Sequence, residues 1–242
     1  MATLILDLKT VGESWDGLPQ PLQTYLLRWV ERTARNQTER QLGQDETINR
    51  LSLSPFTGHV ISLGIFDRER AEGVVYVIDG EVMGMASAKN ISYKVRSEAV
   101  LLAEFWDGVC QYDTVVTWNG RSHIIPFLLH RSVAARVMPT VDLLRKRYLA
   151  QQTPPYHVDL LDELSWYGAC SNRPSLPMVC RTYGIPTDGI VGQDEVSGLV
   201  ATRNWEAVAH QSTRDLLATV AVYEKWLQYL APRDSIQKID CL

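Results

Sequence analysis

Apolar and polar positions change period along this chain, and the changes predict its elements. Ala2–Leu8 is an apolar run of strand length that closes on Asp7-Leu8-Lys9-Thr10. From Pro21 to Arg35, Leu22, Tyr25, Leu26 and Trp29 recur at spacings of three and four, the stripe of an amphipathic helix. Residues 36–50 are polar and poor in apolar side chains, which predicts a mobile connection. Gly58–Phe66 and Gly73–Asp79 predict two strands, and the short charged segment Asp67–Glu72 predicts a hairpin between them. Ser97 suits a helix N-cap, and Glu98–Cys110 carries Val100, Leu101, Leu102, Ala103 and Phe105 at helical spacing. Asp113–Trp118 is uncharged after its first residue and rich in β-formers, as a buried central strand requires. Helices are predicted over 124–134, 160–167, 176–183, 193–201 and 205–230, with Pro177 in a first turn, where proline is tolerated. Strands come early and helices late. The natural packing is one α/β domain spanning 1–242, a mixed sheet flanked by helices.

Composition narrows the functional classes. A hydrophobic content of 45% over 242 residues supports a sizeable core. The net charge of −4 argues against coating nucleic acid by diffuse positive charge, although an acidic metal-dependent nuclease remains compatible with it. Cys110, Cys170, Cys180 and Cys241 lack Cys-x-x-Cys spacing and are expected to be small buried thiols of a reduced, cytoplasmic protein. The chain opens directly on Leu4-Ile5-Leu6, too short for a signal peptide, and no apolar run reaches the roughly 18 residues of a membrane span. No membrane partner is expected.

The chemistry concentrates in Val115-Val116-Thr117-Trp118-Asn119-Gly120-Arg121-Ser122-His123-Ile124, followed by Ile125-Pro126-Phe127-Leu128-Leu129. This stretch resembles the second motif of DEDD-type 3′–5′ exonucleases, in particular stand-alone proteins akin to the proofreading domain of family B DNA polymerases. There a buried strand leads into Asn-Gly-Arg-Ser-Phe-Asp and an apolar helix. Leu4-Ile5-Leu6-Asp7-Leu8-Lys9-Thr10 resembles the family's first motif, apolar-Asp-x-Glu-Thr. Ser54–Gly64, Ser97–Leu102, His157–Leu160 and Ser175-Leu176 with Tyr183–Pro186 resemble its other segments in order and spacing. The resemblance covers nearly the whole chain. It implies the ribonuclease H-like fold with a mixed sheet of about five strands.

The same resemblance implies a site built on four carboxylates that hold two divalent ions, Mg or Mn. The matching positions are Asp7, Lys9, Ile124 and Asp215, and only two are carboxylates. Lys9 lies two residues from Asp7 on one strand and should share its face. At ~5 Å and an effective dielectric of ~20, each unit of charge counts for roughly 3 kcal/mol, and Glu to Lys is a change of two units. Ile124 cannot ligate a metal, and as an apolar residue at a helix start it suits the core. Asp215 lies in Gln211-Ser212-Thr213-Arg214-Asp215, which resembles the family's Tyr-x-x-x-Asp, with Gln211 at the Tyr position. His210 stands at the His-x-x-x-x-Asp spacing of the histidine-type branch, where the histidine is a general base; a plain surface histidine is the other reading. Asp159 reads as a helix cap or, with Asp162, as a replacement ligand, and Asp142 and Glu195 have no better claim.

Trp118 and Asn119 stand where a base could stack and hydrogen-bond, and Arg121, Arg131, Arg145, Lys146 and Arg147 could grip phosphates. Core packing and solvated helix surface are the competing uses of these residues. Three functions follow. The chain is an inactive exonuclease-like module that binds single-stranded nucleic acid or takes part in an assembly, with no tightly bound cofactor. Alternatively, it is an active metal-dependent exonuclease with rearranged ligands, or a scaffold for a protein partner. The ligand count favours the first.

Overall fold

The computed structural model describes residues 2–80, 90–170, 172–186 and 193–232. The chain runs β1 (Thr3–Gly12), α1 (Gln20–Thr33), α2 (Gln37–Asn49), β2 (Gly58–Asp67), β3 (Glu72–Ile78), β4 (Ile91–Arg96), α3 (Glu98–Val109), β5 (Thr114–Thr117), α4 (Ile125–Ala134), β6 (Tyr156–Asp159), α5 (Leu160–Leu164), α6 (Leu176–Thr182), α7 (Gln193–Ala201) and α8 (Trp205–Tyr229). Among the described residues, six strands form one sheet in the order β4-β3-β2-β1-β5-β6. β2 runs antiparallel to both β1 and β3, while β5 is parallel to both β1 and β6, and β4 is parallel to β3. The expected hairpin is β2–β3. The architecture is the expected ribonuclease H-like one, with one strand more than the five anticipated. β4 and β6 were not anticipated as strands. β6 is four residues long and fully buried, too short to show a period, and β4 is an edge strand whose exposed Lys94 discourages further pairing.

The alternation of β1 divides the core. Leu4, Leu6 and Leu8 pack with Leu101, Phe105 and Trp106 of α3 and Phe127 and Leu128 of α4. Ile5 faces the other layer, with Val179 and Cys180 of α6 and Leu216, Tyr223 and Trp226 of α8. Asp7 and Lys9 continue the Ile5 face and are therefore presented to α8. That helix lies close on the sheet. Ser212 and Ser62 share a hydroxyl hydrogen bond of 2.9 Å, and a Cβ added to Gly64 would stand 3.2 Å from Leu216. The register slips at the same place: Lys9 opposes Ser62 but Thr10 opposes Val60, so Ile61 is the extra residue of a bulge.

Residues 36–50 are not a loose connection. Asn36 caps α2 by accepting from the Glu39 amide at 2.8 Å, and Glu39 reaches back to the Arg35 amide at 2.8 Å. The helix is polar because its contact with α1 is narrow, centred on Gly43, where an added Cβ would stand 2.8 Å from Val30. The thiol expectation holds only for Cys180; Cys110 and Cys170 are exposed, and Cys241 lies outside the described residues. Among the described residues, no helix is long and apolar enough to cross a membrane.

After β5 the backbone turns left-handed at Asn119 (φ 56°) and enters a single π turn, Gly120–Ile124, which feeds α4. Gly120 lies against Thr117: a Cβ there would stand 2.0 Å from the Thr117 hydroxyl, which is itself bonded to His157 Nε2 at 2.8 Å. Gly120→Ala should therefore cost about 2 kcal/mol or more, the scale of an overpacked core site. A urea midpoint equal to that of the wild type, at unchanged slope, would contradict the close approach.

Candidate functional site

Asp7 and Lys9 midway along β1, Trp118 and Asn119 after β5, Ile124 at the head of α4 and Asp215 on α8 line one open cleft of about 690 Å³. Residues far apart in sequence meet there because β1 and β5 are neighbours and α8 crosses the face that β1 presents. Asp159, at the end of β6, fixes the near wall. Its carboxylate accepts from the Asn119 and Arg121 amides at 3.1 and 2.8 Å, and from Leu161 and Asp162 at 3.0 and 3.4 Å. It caps α5 and pins the Asn119–Arg121 turn at once.

Lys9 is the centre of the cleft's electrostatics. Its ammonium is 3.1 Å from each oxygen of Asp7 and is in direct contact with Asp215 Oδ2. The other Asp215 oxygen accepts from Gln211 Nε2 at 2.9 Å, one turn earlier on α8. All four side chains are largely or wholly buried. Burial pushes Asp7 from its ordinary 3.8 up to about 6; Lys9 opposes that shift and Asp215 adds to it. Burial also works against the Lys9 charge, but the two carboxylates outweigh it and hold the ammonium above its usual range. At an effective dielectric of ~20, a charge pair at such a distance gains about 5 kcal/mol, offset by the cost of leaving water.

His123 was not singled out from the sequence, yet it lines the same cleft. Burial, with Lys9 adding, pulls its imidazole down to about 4, so it is neutral near pH 7. Its signal was positional: it precedes Ile124 in the second motif. Ile124 itself is 3% exposed and belongs to the core under α3 and α4.

Other sequence candidates are placed elsewhere. His210 points to Glu206 at 3.6 Å and stacks edge-on with Tyr93, outside the cleft lining, because it lies one residue round α8 from Gln211. Arg121 donates to the Leu144 and Lys146 carbonyls at 3.4 and 3.0 Å and lies 3.7 Å from Asp162, so its guanidinium braces a loop. Arg147 also pairs with Asp162, at 3.1 Å, and Arg131 with Glu98, at 2.6 Å. Arg145, Lys146 and Asp142 border a separate hollow of about 230 Å³. Asp162 is engaged by Arg121, Arg147 and Arg173 at 3.7, 3.1 and 3.7 Å.

The residues present do not fit two divalent ions. Such a site needs several hard oxygen ligands with concentrated negative charge. Here one carboxylate pair already encloses an ammonium, and the remaining ligand position is an isoleucine. Among the described residues, no three His, Cys, Asp or Glu side chains are grouped closely enough to hold a metal.

Removing the Lys9 charge should leave two buried carboxylates without a counter-ion. Lys9→Met is expected to cost about 3–5 kcal/mol near pH 7. The pH dependence has a definite sign. A carboxyl raised in the folded state makes the fold lose stability as pH climbs from about 4 towards 6, and without Lys9 that shift grows. The loss should therefore be largest above pH 6 and shrink towards pH 4. Melting temperatures of the two proteins that coincide at neutral pH would contradict the pairing.

Comparison with known proteins agrees with this geometry. A family model described as predicted 3′–5′ exonuclease related to the exonuclease domain of PolB matches residues 71–238. No curated protein matches the chain. Among solved structures, the family B DNA polymerase from the hyperthermophilic archaeon Pyrobaculum calidifontis is similar, with a TM-score of 0.55 and 16% identity over 93% of this chain. The similarity covers 24% of the polymerase, so this chain spans about a quarter of it, and at that identity the likeness concerns the fold. The family match covers most of the chain and includes β5, the turn after it, α4 and α8, whereas β1 with Asp7 and Lys9 lies before the matched residues. The chain therefore belongs to the predicted 3′–5′ exonucleases related to the exonuclease domain of PolB.

Proposed function

We propose that this protein is an exonuclease-like module without hydrolytic activity, which holds the end of a single-stranded nucleic acid in its cleft. The observation that supports this reading is the Lys9 ammonium enclosed by Asp7 and Asp215. The cleft carries two carboxylates and one ammonium, a formal charge near −1, whereas four carboxylates would carry −4. The ammonium of Lys9 satisfies the acids, so little negative charge is left to draw two dications. His210 is turned towards Glu206, and burial with the nearby Lys9 pulls the His123 imidazole down to about 4, which makes it a weak base.

Loss of the ligands leaves the walls. Trp118 offers a partly buried ring at the lip, and Asn119 and Ser122 offer polar groups beside it, with Ser122 Oγ donating to Asn119 Oδ1 at 2.5 Å. A base can stack on such a ring whatever its identity. Neutralised acids also reduce the repulsion that a phosphodiester would otherwise meet. The free thiols suit a reducing compartment such as the cytoplasm.

The purified protein should not shorten a 5′-labelled single strand above background with Mg²⁺ or Mn²⁺. It should still bind that strand, and Trp118→Leu should weaken binding about ten-fold, the scale of one base–aromatic stack. Lys9→Glu with Ile124→Asp restores the carboxylate count and should bind Mn²⁺ more tightly than the wild type by calorimetry. Metal-dependent shortening by the wild type, abolished in Asp7→Ala, would overturn the reading.

A further inference from the structure

A second surface lies outside the residues matched by the family model, on α1 and the segment 50–57. Tyr25 and Trp29, one turn apart on α1, are 55% and 65% exposed, and Phe56 is 71% exposed. The three rings border an open hollow of about 670 Å³ between α1, α2 and residues 50–57. Large exposed apolar groups gathered in one place mark an interaction surface.

Charge indicates the occupant. The Arg28 guanidinium lies over the Tyr25 ring, 4.0 Å from its centroid, and Arg32 lies over Trp29 at 5.5 Å. Among the described residues neither is ion-paired, whereas Arg40 pairs with Glu31 and Arg50 with Glu46. The glutamate of α1 is thus already engaged, and so are the two that line the hollow, Glu46 by Arg50 and Glu39 by Asn36 and the Arg35 amide, so α1 presents beside the hollow two cations without an acid partner among the described residues. A purely apolar partner would bury those guanidiniums without a counter-charge, which is costly. A duplex hides the faces of its bases. An unpaired strand meets both demands, because each base has a face to stack and each phosphate a charge to share.

The hollow also adjoins the cleft. Leu53 lines the cleft, while Leu51, Ser54, Phe56 and Thr57 line the hollow, so one short segment forms the wall between them.

We propose that α1 is a second contact for a single-stranded polynucleotide, with Tyr25, Trp29 and Phe56 stacking on bases and Arg28 and Arg32 meeting phosphates. For the course of the strand this rests on the reading of the cleft; the contact itself is tested apart from it. The shared chemistry is an unpaired base on a phosphodiester chain, so DNA and RNA strands both enter the test.

Anisotropy of fluorescent DNA and RNA strands of about 20 nucleotides is measured with the full chain across a salt series, the site size of such surfaces being roughly 4–16 nucleotides. Trp29→Ala, an exposed position whose loss should leave the fold intact by circular dichroism, is expected to weaken binding about ten-fold. Arg28→Ala with Arg32→Ala should lower the salt slope by about 1.4, two phosphate contacts at about 0.7 each. A loss confined to DNA or to RNA supports the contact and identifies its source. If Trp29→Ala binds like the wild type while Trp118→Leu is weakened, the α1 contact is overturned and the cleft reading stands; the reverse pattern keeps α1 and removes the cleft. Absence of binding by the wild type overturns both. Concentration-dependent dimerisation lost in Trp29→Ala, with strand affinity unchanged, assigns the surface to a second copy and overturns the contact.

Discussion

A single ammonium ties together the parts of this molecule that matter most. Lys9 stands on the central strand and reaches carboxylates on β1 and on α8, so it joins the sheet to the helix that crosses it. Two acids in a largely buried site repel each other and resist leaving water. Without an enclosed cation, the close approach of α8 to β1 and β2, seen at Gly64 and Ser62, would be opposed. The ion pair is therefore a condition of the packing around it. It is also the reason the cleft has the charge it has. One residue sets both the stability of the layer and the chemistry available at its surface.

The sequence exposed much of the fold because the core-forming elements obey clear periods. β1, β2, β3 and β5, and helices α1, α3 and α8, carry their apolar residues at the spacing their structure requires. What escaped lacked such a period. β6 is four residues that are all buried, and α2 is polar on nearly every side, so composition alone made it look loose. Its helical state depends on a cap between Asn36 and Glu39 and on one glycine contact, neither of which generates a hydrophobic pattern.

The site was legible in a different way. Asp7, Lys9, Ile124 and Asp215 were identified by their places in motifs, and the fold brings all four into one cleft. Side-chain direction was not legible. His210 and Gln211 are neighbours in sequence, yet on a helix a step of one residue turns a side chain by about 100°, so Gln211 meets Asp215 and His210 meets Glu206. Nor were the partners of the basic residues: Arg121 and Arg147 have carboxylate and carbonyl neighbours close by in space but distant in sequence, which engage part of their guanidinium donors.

Asp159 carries a broader implication. It grips the Asn119–Arg121 turn and the start of α5 entirely through backbone amides, which every residue except proline provides. That hold does not depend on the side chain of Arg121, whereas Gly120 is required by its close approach to Thr117 and Asn119 suits its left-handed backbone. His123 and Ile124 stand beyond the amides that Asp159 holds. An anchor of this kind keeps the course of the chain at the cleft wall apart from the chemistry that its neighbouring side chains display.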